Sequence, residues 1–291
     1  MLHDLLFAPF GFGFMRRALA GCLALSLAGP PLGVFLVLRR MSLMSDVLQH
    51  GILPGIALGA MAAGLSFWAM GLGGVLAGLC VALLAGWLTR ATGGREDSQL
   101  AGVYLLALAL GVAMLSAQRG VDLSHLLFGS VLAVDDTALL CMAGMACVVL
   151  PGLALIWRPL ILESLDPGFL AAIGVQGGGG RGGLWHLAFL ALVVLSVVGG
   201  FAALGTLMSV GLMMLPAIAA RHFAASLAGQ MRASVVLAIL ASLIGLLVSF
   251  HLDVPAGPAI VLSAGALWTI GLTVGPRDSL LRRFRRVILP Q

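Results

Sequence analysis

Arg39-Arg40-Met41-Ser42-Leu43-Met44-Ser45-Asp46-Val47-Leu48-Gln49-His50-Gly51-Ile52-Leu53-Pro54-Gly55-Ile56-Ala57-Leu58-Gly59 carries a paired arginine straight into a long apolar span. Early in that span stand one carboxylate, Asp46, and one imidazole, His50. They are four residues apart, so a helix stacks them on one face. Ionisable groups inside an apolar span are expensive and face a cavity, a partner or an ion. An oxygen and a nitrogen ligand on one face suit a divalent metal such as zinc or manganese. Gly51, Pro54 and Gly55 follow at once, so the helix can bend or open there and free backbone carbonyls. The plainer reading is a helix capped at Ser45 or Asp46 with a packed histidine. Many Asp/His pairs at this spacing bind nothing, and the pair alone does not choose.

The rest of the chain sets the medium for that stretch. Of 291 residues, 61% are hydrophobic and 9% charged, against roughly 25% charged in soluble domains. Mean hydropathy is +1.13. These values define an all-α polytopic membrane protein and leave no room for a sizeable soluble domain. The net charge of +5 is carried by arginine alone, since the chain has no lysine. The arginines sit at the ends of apolar runs, so they read as topology signals and not as a nucleic-acid surface. Cys22, Cys80, Cys141 and Cys147 fall within apolar runs, without CxxC spacing, and read as packing residues. The first apolar run lacks a short leader pattern and is expected to stay as a span.

In chain order, the expected spans are 18–38, with Pro30 and Pro31 inside; one holding Asp46 and His50 to about 65; then 71–88, 100–117 and 138–157. A polar segment, 158–183, separates these from spans at 184–198, 203–220, 233–250 and 259–274. A glycine pair, Gly199-Gly200, is expected to break the sixth span from the seventh. Segments near the ~20 residues a crossing helix needs give about eight to nine crossings. With nine, the N-terminus is outside and the tail inside. Thirteen of the sixteen arginines then lie at cytoplasmic ends, all but Arg16, Arg17 and Arg119, as the positive-inside rule requires. The whole chain, 1–291, reads as one transmembrane domain.

Chemistry-bearing motifs are few. GxxxxGK[ST], HExxH and GxSxG are all absent, which removes nucleotide binding of that kind and the common membrane hydrolases. His125, His186, His222 and His251 read as interfacial or loop histidines. Asp122, Asp135, Asp136 and Asp253 read as solvated loop residues outside, and Met208, Met213 and Met214 as packing filler. The cytoplasmic segment Glu163–Val175 differs: Glu163 and Asp166 lie near Pro167, and Gly174 follows, a good helix start and stop. A short helix there can dock into another protein or serve as a plain connection.

Taken in succession, several patches resemble the permease subunits of bacterial ATP-binding-cassette importers for zinc and manganese. They are Arg39-Arg40-Met41 with Asp46 and His50; Arg95-Glu96-Asp97-Ser98; Val121-Asp122-Leu123 with Leu127-Phe128-Gly129 and Leu132-Ala133-Val134; Asp166, Ala171 and Gly174; Gly205 to Leu207 with Leu215-Pro216-Ala217; and Asp253, Pro255, Gly257 and Pro258. The resemblance covers almost the whole chain in order. It implies a multi-pass protein of the bacterial cytoplasmic membrane, with no catalysis of its own and no permanently bound cofactor. It also implies a partner ATPase that alone binds ATP, a periplasmic or surface metal-binding protein and a second permease copy, here expected as a homodimer. Asp46 and His50 are implied as metal contacts. Within the coupling loop 158–183, the segment Glu163–Val175 is implied as the coupling helix that fits a cleft in the ATPase, with Glu163, Asp166, Ala171 and Gly174 in it. Zinc is slightly favoured, because one Asp and one His per subunit, doubled in a homodimer, supply four N/O ligands; manganese tolerates the same set and prefers more oxygen. The competing readings are a secondary transporter or channel working alone, which would need more buried charge than Asp46 and His50, and a membrane enzyme, which lacks any motif. Asp46 lies six residues past Arg40, so a partly re-entrant or unwound start is needed to carry it to the centre of a pathway.

Overall fold

Backbone amides and carbonyls in hydrocarbon must be satisfied within their own segment, and helices do this without an edge. A computed structural model describes residues 8–64, 66–93, 96–116, 131, 134–165, 181–277 and 279. Among these, every long element is α-helical and no strand occurs. After a 3-10 turn at Ala8–Gly11, the helices are α1 (Gly13–Leu38), α2 (Met44–Gly51), α3 (Leu53–Ala63), α4 (Phe67–Thr92) and α5 (Glu96–Ser116). They continue with α6 (Asp136–Leu165), α7 (Arg181–Leu204), α8 (Thr206–Ala220), α9 (Leu227–Leu252) and α10 (Ala256–Val274). Seven of them are long and apolar enough to cross a membrane; α8 is a shorter apolar helix. The broken pair α2–α3 stands where the sequence places the second span, so the described helices fit the expected eight to nine crossings.

Two boundaries differ from the expected ones. Helix α7 runs through Gly199 and Gly200 without a break. The break falls at Gly205, whose φ of 88° is open to glycine and strained for other residues. A glycine pair inside a well-packed helix weakens it by only about 1 kcal/mol per residue, and Gly199 lies against the Met145 side chain. Helix α6 extends past Trp157 to Leu165 with Pro151 and Pro159 inside. Glu163 therefore lies in the last turn of α6 instead of opening a helix of its own.

The chain forms two compact units. One gathers residues 1–37, 124–143 and 203–291, hence α1, the first turns of α6, and α8 to α10. Helix α1 is buried along most of its length, and its Ser26 hydroxyl lies 3.3 Å from that of Ser242 on α9. Met208, Met213 and Met214 are all buried, which bears out their reading as packing. Asp135 is not merely solvated: its carboxylate accepts from the Ala138 amide at 2.8 Å and caps α6.

The second unit gathers residues 38–123 and 144–202, hence α2 to α5, most of α6 and most of α7. Its tightest contact joins α3 to α4. Gly55 and Gly73 face each other so closely that a Cβ on either would collide with the other's carbonyl, the small-residue packing by which membrane helices approach without a hydrophobic drive. Large leucines on outer faces, such as Leu76, Leu106 and Leu155, are exposed, as lipid-facing or partner-facing side chains are.

End-to-end contacts within each unit agree with the alternation of spans. In the first, Arg17 at the start of α1 reaches Asp136 at the start of α6 at 3.4 Å, and both are outside by the arginine count. In the second, Arg39, Glu163 and His186, all inside by that count, meet one another.

Candidate functional site

Helix α2 is eight residues long, Met44 to Gly51, with Asp46 in its first turn and His50 in its last. A carboxylate near the N-terminus and an imidazole near the C-terminus both suit the helix dipole. Arg40 sits just before it at φ 60°, a left-handed turn that a non-glycine residue enters only when the surroundings hold it. The helix stops because Pro54 has no N–H, which leaves the His50 carbonyl without its usual donor. The Ile52 amide turns to that carbonyl as well as to Leu48, and α3 starts again with Pro54 in its first turn. The expected opening of the second span is thus a short α2 set off from α1 by residues 39–43 and from α3 at Ile52.

Buried apolar side chains hold this pair in place. Leu48, Ile52, Leu53 and Ile56 are all in the core. Gly51 packs on Val81 of α4, and Leu53 and Pro54 lie where Gly111 of α5 leaves space. The His50 ring stacks on Tyr104 of α5, with centroids 6.4 Å apart.

The structure brings Asp46 and His50 together. Their Oδ1 and Nε2 atoms are 3.7 Å apart, with the side chains 57% and 29% exposed respectively. That is too long for a hydrogen bond. It is close to the separation of two ligands on one ion, since atoms about 2.1 Å from a tetrahedral zinc lie about 3.4 Å from each other. Among the described residues no group of three or more His, Cys, Asp and Glu side chains forms. Asp46 and His50 stand there as a pair and not as a closed cage.

Sequence reasoning missed their neighbours. Ser45 and Gln49 share the same four-residue spacing one position earlier and are 0% and 2% exposed. Ser45 Oγ, Gln49 Oε1 and His50 Nδ1 are buried without a hydrogen-bond partner, and they are the only such side-chain atoms among the described residues. A buried polar atom left unpaired costs about 1–3 kcal/mol, so three in six residues mark a place for water or a ligand. The available signal was two polar residues, Ser45 and Gln49, within an apolar span, adjacent to the Asp46/His50 face.

The residues read as a coupling element are only partly in view. Glu163 lies in the last turn of α6 and pairs with Arg39 at 2.8 Å. Asp166, Ala171 and Gly174 lie outside the described residues. His222 lies with its Nδ1 3.4 Å from the Arg277 carbonyl, and His251 packs edge-on against Phe250.

Known proteins are similar to this chain over nearly its full length. The manganese import system permease protein ScaB of Streptococcus parasanguinis is 32% identical over 92% of this chain and 92% of its own. The chelated iron transport system membrane protein YfeD of Yersinia pestis is 28% identical over 94% of this chain and 89% of its own. The solved structure of PsaBC from Streptococcus pneumoniae, in complex with a Fab, superposes with a TM-score of 0.83 at 27% identity, over 98% of this chain and 100% of that one. The model of the ABC 3 transport family matches residues 11–275. The chain is a member of the ABC 3 transport family, and as such the permease part of an ABC transporter.

Proposed function

We propose that this permease imports a divalent transition metal, manganese first, across the bacterial cytoplasmic membrane. The observation that carries the reading is the cluster on α2: Asp46 and His50 3.7 Å apart, with buried, unpartnered polar atoms on Ser45, Gln49 and His50 itself. Asp46 and His50 are the charged and nitrogen ligands. Ser45 and Gln49 add neutral oxygen, which manganese prefers over zinc. The names of ScaB and YfeD support manganese and then iron; the four-ligand count that favours zinc finds no support in them. A site of two strong ligands per chain is open enough to release its cargo, as transport requires, where a closed four-ligand site would retain it.

Movement is driven from outside the chain. A partner ATPase binds and hydrolyses ATP, a periplasmic or surface protein delivers the metal, and two copies of this permease face each other. The chain works as one transmembrane domain, with 158–183 as its coupling loop and Glu163, Asp166, Ala171 and Gly174 within it. The test is uptake of radioactive manganese and zinc into cells carrying the whole system. Manganese uptake that needs the partner's ATPase activity, and that is lost in Asp46→Asn and in His50→Ala at normal assembly, is the expected result. Uptake independent of the ATPase would instead support a transporter working alone.

A further inference from the structure

Arg39 joins three segments with one side chain. It is 8% exposed. Its NH2 donates to Glu163 Oε2 at 2.8 Å, its Nε to Ser164 Oγ at 3.1 Å, and its NH1 lies 2.9 Å from His186 Nδ1. The guanidinium has donors only, so His186 Nδ1 accepts, with the ring proton on Nε2. Nδ1 also lies 3.7 Å from Glu163 Oε1, and the face of Phe189 lies 5.0 Å from the guanidinium carbon. Ser164 donates its own proton to the Leu160 carbonyl at 2.6 Å, which leaves its lone pairs for Arg39. All three guanidinium nitrogens are therefore engaged, in a planar fork that lysine cannot reproduce.

What the fork connects matters more than its strength. Glu163 and Ser164 lie in the last turn of α6, the stem whose end opens segment 158–183. His186 and Phe189 lie on α7, the stem that leaves it. Arg39 itself is followed by the left-handed Arg40 and, seven residues on, by Asp46. One buried side chain thus clasps both stems and holds the chain just before α2. Packed, hydrogen-bonded networks of this kind carry energetic coupling when they have two arrangements.

We infer that Arg39 is a positioning residue that passes movement of the coupling stems to the metal-bearing helix α2, through Glu163, Ser164 and His186. The inference rests on the metal-import reading above. The experiment uses the assembled complex, permease with ATPase and metal-loaded binding protein, in proteoliposomes. Manganese uptake, ATP hydrolysis and thermal stability are measured together for Arg39→Lys, Glu163→Gln, the mild His186→Gln, and the exchange Arg39→Glu with Glu163→Arg. Manganese moved per ATP should fall about tenfold in Arg39→Lys and Glu163→Gln, and by less in His186→Gln. ATP hydrolysis should persist in Arg39→Lys and His186→Gln, and the exchanged pair should recover part of the loss. A ratio unchanged in every variant that assembles, with uptake falling only as complex is lost, reduces Arg39 to an anchor and overturns the inference. His186→Gln keeps the test decisive if the charged variants fail to assemble. Asp46→Asn with His50→Ala in the same assay separates the two claims. Uptake retained there sinks the metal-site reading. Uptake lost there, with an unchanged ratio in the Arg39 variants, sinks only this inference.

Discussion

At Ser45, Gln49 and His50 the protein leaves buried polar atoms unpaired, and two opposite effects of one substitution follow from that. If Gln49 only packs, Gln49→Leu removes an unsatisfied buried carbonyl oxygen and stabilises the protein. If its Oε1 meets a passing ion, the same change weakens the metal step, because a lost supporting ligand lowers metal affinity about ten- to hundredfold. We expect both effects: equal or higher melting temperature of the metal-free complex, and manganese uptake that needs correspondingly more metal. Uptake with an unaltered concentration dependence would leave Gln49 as packing. The Asp46/His50 pair was legible in the sequence because charge in an apolar span is rare. Ser45 and Gln49 were not, because neutral polar residues occur in such spans without consequence until burial and the lack of a partner are both known. Arg39 hid for another reason: its partners Ser164, Glu163 and His186 lie 125, 124 and 147 residues away.

Helices α2 and α3 are one apolar segment divided by backbone chemistry. Ile52 keeps near-helical angles, φ −79° and ψ −16°, so the division depends on the missing amide of Pro54. Pro54→Ala restores a donor for the His50 carbonyl and should fuse the two helices. The expected outcome is equal or higher thermal stability with slower manganese uptake; undiminished uptake would show that the division has no role in transport. Helix α3 is fixed to α4 at Gly55 and Gly73, where no side chain fits. Gly55→Leu should destabilise the permease by about 2 kcal/mol or more, read as a lower melting temperature in detergent, and wild-type stability would contradict the close packing. Among the described residues the long spans were readable from hydropathy. The boundaries were not where glycine and proline compete with packing: α7 passes through Gly199-Gly200 and ends at Gly205, and α6 continues past Trp157 and two prolines to Leu165.

For the whole molecule, arginine bias and span count give the expected orientation, and the end contacts Arg17–Asp136 and Arg39–Glu163 each join residues that it places on one side. In a background without the four native cysteines, a cysteine at Asp136, 82% exposed, should react with membrane-impermeant reagents in intact cells. One at the exposed Arg221 should not, and the reverse pattern would invert the topology. The family, the order of helices and the candidate pair were all accessible from sequence; the choice of metal was not, because donor type ranks divalent ions only loosely. The claim on which the account turns is that metal passes Asp46 and His50. Uptake of radioactive manganese by the Asp46→Asn, His50→Ala double variant, normalised to assembled complex, tests it most directly. Uptake at background with assembly and basal ATP hydrolysis intact is the expected result; uptake at the parent level would take the pair out of the pathway.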